Sequence, residues 1–235
     1  MEDSEYRERI EALKASDFRY EIFTDKELIE EIKNQEKPKK AESKPEIETF
    51  QSISEIEKLK QFYRTLGISD FSSWNNLKLP NKREGFDRLI IVHKDLTNDQ
   101  LFEKCKERFN AWKYASGPLD SVVTQNDRTN KDRTYAIWVR PCIEADEIHK
   151  NKSANNLAQQ NIKGITLKER LAQELIYHAE TNDHLDKQNF TLCSGSRVVG
   201  GRVPCVLWYV SELYVYWFFP GRQGGVLRSR EVVSD

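Results

Sequence analysis

Four histidines (His93, His149, His178, His184), four cysteines (Cys105, Cys142, Cys193, Cys205) and the run Ser194-Gly195-Ser196 are the groups with which this chain could do covalent or metal chemistry. No CxxC or CxxH spacing occurs among the cysteines, so neither a zinc site nor a disulfide framework is indicated, and the thiols read as reduced and buried. His178 and His184 lack the i, i+4 spacing and intervening Glu of a zinc protease and read as a solvated helix terminus. Ser194 has no Gly-x-Ser-x-Gly elbow, since Thr191, Leu192 and Cys193 precede it, and Gly195 reads as part of a tight turn. Glu144, Asp146 and Glu147 read as the acidic start of a helix. Asp127 and Asp132 sit in a polar turn that lacks the alternating oxygen ligands and terminal Glu of a calcium loop. On this reading there is no catalytic residue, no cofactor and no metal.

Recognition chemistry is concentrated at the C-terminus. From Val198 onward Lys, Asn, Ile, Thr, Ala and His disappear, and five of the ten glycines fall there. Val206 and Trp208, then Leu213, Val215 and Trp217, recur two apart, so each series faces one side of a pleated ribbon. The other side carries Cys205, Leu207 and Tyr209, then Tyr214, Tyr216 and Phe218. With the Val/Trp side as core, those large groups face outward beside the Gly200-Gly201 and Gly224-Gly225 turns. An exposed aromatic face is a recognition surface, because soluble monomers seldom expose large apolar patches without use. Burial of both faces, as in a sandwich, is the competing reading.

The elements that position these groups follow from periodicity. Arg88 to His93 is a β-rich run; the polar residues from Asp95 to Asp99 then open a helix through Trp112, with Leu101, Phe102, Cys105, Phe109 and Trp112 on its apolar face. A polar turn at 124–132 precedes the strand Tyr135 to Arg140. Thr166-Leu167-Lys168-Glu169 is a capping box opening a helix that buries Leu171, Leu175 and Ile176.

Upstream, residues 1–79 read as a charged helical arm able to bind another protein. Its helices lie around Ile10 and Leu13, around Leu28, Ile29 and Ile32, and from Ile53 to Leu66 with a stop at Gly67; a proline-containing linker covers 36–46. With 37 basic and 38 acidic residues the net charge draws the chain toward neither nucleic acid nor an anionic membrane. The acidic start and the absence of an apolar run of about 18 to 20 residues point to a cytoplasmic protein, with display through a partner left open.

Thr191-Leu192-Cys193-Ser194-Gly195-Ser196-Arg197, Val206-x-Trp208, Leu213-Tyr214-Val215-x-Trp217 and the closing Leu227-Arg228-Ser229-Arg230-x-Val232-Val233-Ser234 resemble the end of a variable protein from a diversity-generating retroelement. The likeness is strongest to archaeal and small-genome bacterial versions and touches Tyr135 to Arg140 and Gly164-Ile165-Thr166-Leu167. It covers 80–235. The resemblance implies an α+β architecture with a C-type lectin-like domain at 80–235 behind the arm, and a variable region at 198–226 written by error-prone reverse transcription at template adenines. Family templates favour AAY (Asn) codons, and randomising their adenines yields NNY codons, which never encode Lys, Glu, Gln, Met or Trp.

The implied binding residues are Val198, Val199, Gly200, Gly201, Arg202, Cys205, Leu207, Tyr209, Val210, Tyr216, Phe218, Phe219, Gly221, Arg222, Gly224, Gly225 and Val226, all in the NNY set. Trp208, Glu212, Trp217 and Gln223 fall outside it; the first three suit fixed scaffold and Gln223 is a departure. Trp138, Arg228 and Arg230 belong to the constant frame. The ligand is expected to be a protein. The Glu-Pro-Asn and Trp-Asn-Asp motifs of calcium-dependent sugar binding are missing from the C-terminal region. The alternatives are a nucleic-acid-binding module built on Arg197, Arg202, Arg222, Arg228 and Arg230 with interleaved aromatics, or an unassigned enzyme.

Overall fold

The computed structural model describes residues 48–131 and 133–235, with side chains from Glu55 onward. The helices expected around Ile10 and around Leu28, the linker at 36–46 and Asp132 lie outside the described residues. In chain order the elements are α1 (Glu48–Thr65), β1 (Arg88–Val92), α2 (Asn98–Lys106), β2 (Ala111–Lys113), α3 (Leu119–Val122), β3 (Val123–Asn126), β4 (Tyr135–Val139), α4 (Ala154–Gln159), α5 (Leu167–Thr181), β5 (Phe190–Leu192), β6 (Ser196–Val198), β7 (Val203–Tyr209), β8 (Glu212–Phe218), β9 (Leu227–Ser229) and β10 (Val232–Val233). Short 3-10 turns occupy Ser72–Trp74 and Glu147–His149.

The architecture is α+β. Three sheets form: β1-β4-β10, antiparallel throughout; β2-β8-β7-β5-β9, with β2 parallel to β8 and β9 parallel to β5; and the β3-β6 pair. Among the described residues no helix is long and apolar enough to cross a membrane.

Helix α5 lies at the centre. Thr166 caps it, its hydroxyl accepting from the Glu169 amide while the Glu169 side chain accepts from the Thr166 amide, as the capping box predicts. Leu167, Leu171, Leu175 and Ile176 are buried, but so are Glu169, Arg170, Gln173 and Glu174, because α5 is packed on several sides, against α2, β1 and β7. Those buried charges are paired, as they must be. Arg170 donates to Glu174 Oε2 at 2.7 Å and to Asp186 Oδ2 at 2.8 and 2.9 Å, and Arg128 grips Glu169 at 2.7 Å.

Three expectations about elements are corrected. The boundary at residue 80 falls inside a packed unit: Leu59, Tyr63, Leu66 and Trp74 share the core of Leu89, Ile91 and Leu171. Spacings of three and four put those α1 side chains on one face, and the charges on the other face disguised a docking helix as an arm. The α1 stop at Gly67 holds, with a left-handed φ of 90° and the Ile68 amide reaching back to Tyr63 O at 3.1 Å.

Helix α2 stops at Lys106, short of Trp112. Residues 111–113 pair with β8 instead, and the Leu213 amide bonds Asn110 O at 2.9 Å, so sheet pairing overrides the helical period. The turn expected at 124–132 begins as strand, since β3 runs to Asn126 against β6.

Candidate ligand-binding surface

The β7-β8 hairpin sets Val203, Cys205, Leu207 and Tyr209 opposite Phe218, Tyr216, Tyr214 and Glu212, and sets Pro204, Val206 and Trp208 opposite Trp217, Val215 and Leu213. Opposed residues share a face. Val206, Leu213 and Val215 are buried in the main core and Trp208 and Trp217 pack against it, so the inner face is the expected Val/Trp side.

The outer face is not uniform. At the end where β7 begins, Val203 and Cys205 are buried with Leu192, Leu227 and Ala154, and Phe218 packs against that second cluster. Cys205 is therefore not a displayed residue. Ala154 of helix α4 and the side chains Leu192 and Leu227, on the neighbouring strands β5 and β9 of the same sheet, enclose this end, and burial pushes the Cys205 thiol well above the usual cysteine value. Val198 is also buried, against the expectation that it is displayed, because β6 turns it into the main core.

Farther along, Leu207, Tyr209 and Tyr216 are half-buried, as are Phe218, Arg222, Gly224, Gly225 and Val226; Val199, Gly200, Gly201, Arg202, Val210, Phe219 and Gly221 are exposed. Phe219 is 65% exposed and carries the Arg202 guanidinium 4.8 Å from its ring centroid. Seven-residue strands span about 20 Å, so this pair and the Val210 tip mark the two ends of a strip of that length.

Two turns bound the hairpin, and they differ. Gly200 and Gly201 adopt φ of 83° and 78°, conformations that suit glycine whatever ligand is bound. At the far end the two-residue loop Val210-Ser211 has φ of 46° and 60°, both left-handed. Asn, Asp or Gly is the usual occupant of such a loop. Val210 is β-branched and 75% exposed.

Next to the edge strand, half-buried Tyr114 extends the surface with a residue missed in the sequence, standing edge-on to Tyr216 at 4.8 Å and to Trp217 at 5.0 Å, while Trp112, 5.7 Å from Tyr214, is buried. The signal was the alternation Trp112, Tyr114, masked by its overlap with a helical period. Gln223, the departure from the NNY set, donates to Asn156 Oδ1 at 2.6 Å, and the Asn155 amide bonds Pro220 O at 3.0 Å, so α4 fastens the 219–226 loop.

The other candidates disperse. His178 and His184 are no solvated terminus: His184 lies flat on Trp208 with centroids 3.3 Å apart, His178 stacks behind it at 4.7 Å, and Phe109 stands edge-on to both. Burial, reinforced by His184, lowers the His178 imidazole below the usual histidine value. Ser194 Oγ bonds Ser229 Oγ at 2.9 Å and Ser196 Oγ donates to Asn126 Oδ1, both structural partners. Gly195 does lie in a turn, and its amide bonds Ile165 O at 3.0 Å.

Cys142 is exposed, unlike the other three thiols, and all four are free. Of the five arginines proposed as a nucleic-acid platform, Arg230 is buried on Asp186 and Arg228 pairs with Glu147 at 2.5 Å. Arg197 donates to Ser194 O and Ser196 O, both at 2.8 Å. Trp138 is buried, its indole donating to Pro80 O at 3.0 Å. The chain matches no family model, no curated protein and no solved structure.

Proposed function

We propose that this chain is a ligand-binding protein whose C-type lectin-like domain displays a surface diversified by retroelement mutagenesis, and that it performs no catalysis of its own. The observation that carries the reading is Val210. A β-branched residue in left-handed backbone costs about 1–2 kcal/mol. Its side chain is 75% exposed, so the fold recovers little of that cost through packing. A template Asn codon would specify the residue this turn favours, and Val is among the products of randomising its adenines. Backbone strain held at an exposed tip is a feature of residues chosen for function.

The surface suits a protein ligand. Tyr209, Tyr216 and Phe219 offer large rigid area, and Arg202 and Arg222 add polar reach, the residue types that dominate binding hot spots. The inner face keeps Val206, Leu213 and Val215 in the core, so substitution at open outer slots such as Tyr209, Tyr216 and Phe219 leaves those contacts intact.

Sequencing the DNA around the gene tests the reading. An imperfect copy of the codons for residues 198–230, differing at adenines and lying beside a reverse-transcriptase gene, is the expected result. No copy, or differences at all four bases alike, overturns it.

A further inference from the structure

Outside the display surface, Asp146, His149 and Glu231 converge. One ligand atom from each lies within 4.8 Å of the others, and all three residues are buried. Asp146 and His149 flank a single 3-10 turn, which brings residues three apart onto one side. That turn is tied to β9: the Asp146 amide bonds Ser229 O at 3.1 Å and the Asn151 amide bonds Leu227 O at 3.1 Å. Glu231 lies two residues beyond the end of β9, and its own amide donates to Asp146 Oδ2 at 2.7 Å. The three side chains are thus held by backbone contacts before any ligand arrives.

His149 is the anomaly. It is 1% exposed, and neither Nδ1 nor Nε2 has a hydrogen-bond partner. A buried imidazole almost always satisfies at least one ring nitrogen. Its Nε2 points toward Glu231 Oε2 at 3.5 Å, without forming a hydrogen bond. Both carboxylates, by contrast, are bridged by a cation: Arg140 donates to Asp146 Oδ2 at 2.6 Å and to Glu231 Oε2 at 2.9 Å, while Arg83 takes Glu231 Oε1 at 2.5 Å.

We propose that Asp146, His149 and Glu231 form a binding site for a divalent transition metal of the zinc class, in which the ion takes over the carboxylates that Arg140 bridges. One imidazole nitrogen and two carboxylate oxygens suit zinc, whereas calcium and magnesium favour oxygen ligands alone. Three protein ligands leave the fourth tetrahedral position for water or for a group from a bound partner. Zinc-ligand bonds of about 2.0–2.2 Å require the triad to contract by roughly 1 Å and Arg140 to release its bridge. Arg140 therefore competes with the metal. The site stands apart from the diversified surface and does not depend on that reading.

Isothermal titration of the metal-free full chain with zinc chloride, and separately with calcium and magnesium chloride, is the test. One zinc per chain binding below about 10 μM is expected, with no heat from the other two ions and a melting temperature raised by about 5 °C at a hundredfold excess over Kd. His149→Ala abolishes that binding, and Arg140→Met tightens it severalfold by removing the competitor. Nitrogen-15 spectra of the four histidines in the unmutated chain ask the same question should His149→Ala fail to fold: zinc must shift the His149 ring. Absence of zinc binding, or zinc that shifts His178 and His184 while leaving His149 unmoved, overturns the site.

Discussion

Asp186 and Arg230 meet in the protein interior, carboxylate Oδ1 to guanidinium Nη2 at 2.6 Å, with both side chains buried. Arg170 takes the other oxygen of Asp186, so one carboxylate ties α5 to the segment between β9 and β10. Arg230 spends its remaining donors on Cys142 O at 2.8 Å, Ile143 O at 2.6 Å and Thr191 Oγ1 at 3.1 Å. Removing one partner from such a network strands a buried charge. Asp186→Asn is expected to cost about 3–5 kcal/mol in urea-induced unfolding.

The same group sets the acid limit. Burial alone would raise the Asp186 carboxyl, but Arg230 and Arg170 outweigh it and hold the group below its usual 3.8. Glu169 is likewise raised by burial and more strongly lowered, by Arg128, the Thr166 amide and the Tyr135 hydroxyl, ending below 4.5. Carboxyls lowered in the folded state bind protons first in the unfolded chain, so their stabilisation is complete above about pH 5 and is lost as pH falls through the folded values. Urea midpoints measured from pH 7 down to pH 3 are expected to fall gently below about pH 6.5, where the unfolded chain takes up a proton at His178 before the folded chain does, and steeply below about 4.5, where the carboxyls follow. A midpoint with no such steeper fall would count against the buried carboxylates as the acid limit.

Val210→Asn relieves the left-handed strain at the hairpin tip. A gain of about 1 kcal/mol and a higher melting temperature are expected. An unchanged or lower melting temperature would mean the loop does not hold the conformation that makes Val210 costly.

Gly195 approaches the backbone so closely that an added Cβ would sit 2.5 Å from Gly164 O and 3.2 Å from Ile165 O. A carbonyl cannot swing aside as a side chain can. Gly195→Ala is expected to destabilise by roughly 1–3 kcal/mol, checked by chemical denaturation beside Gly225→Ala, where nothing lies within 4 Å of the added atom and the change is expected to be under about 0.5 kcal/mol.

Neighbouring hairpin positions separate the outer face from the core. Tyr216→Asn loses an edge-on contact with Tyr114 at 4.8 Å and is expected to cost about 1 kcal/mol. Val215→Asn places an amide in the main core and is expected to cost several times more. Equal losses at the two sites would argue that the outer face is core as well.

Local chemistry made much of this fold legible in the sequence. The Thr166 capping box, the Gly67 stop, β1, β4 and the Val/Trp face of β7 and β8 depend on residues within a few positions of one another, and period and capping report such neighbours directly. What covers each face is a different matter. Cys205 and Tyr216 lie opposite one another on the same outer face, yet Leu192 and Leu227 bury the former and leave the latter half-open. The edge-strand role of Trp112, the docking of α1, and the convergence of Asp146 with Glu231 across 85 residues were likewise decided by tertiary structure. Alternation tells which side chains share a face; only the packing of distant segments determines whether that face meets protein or water.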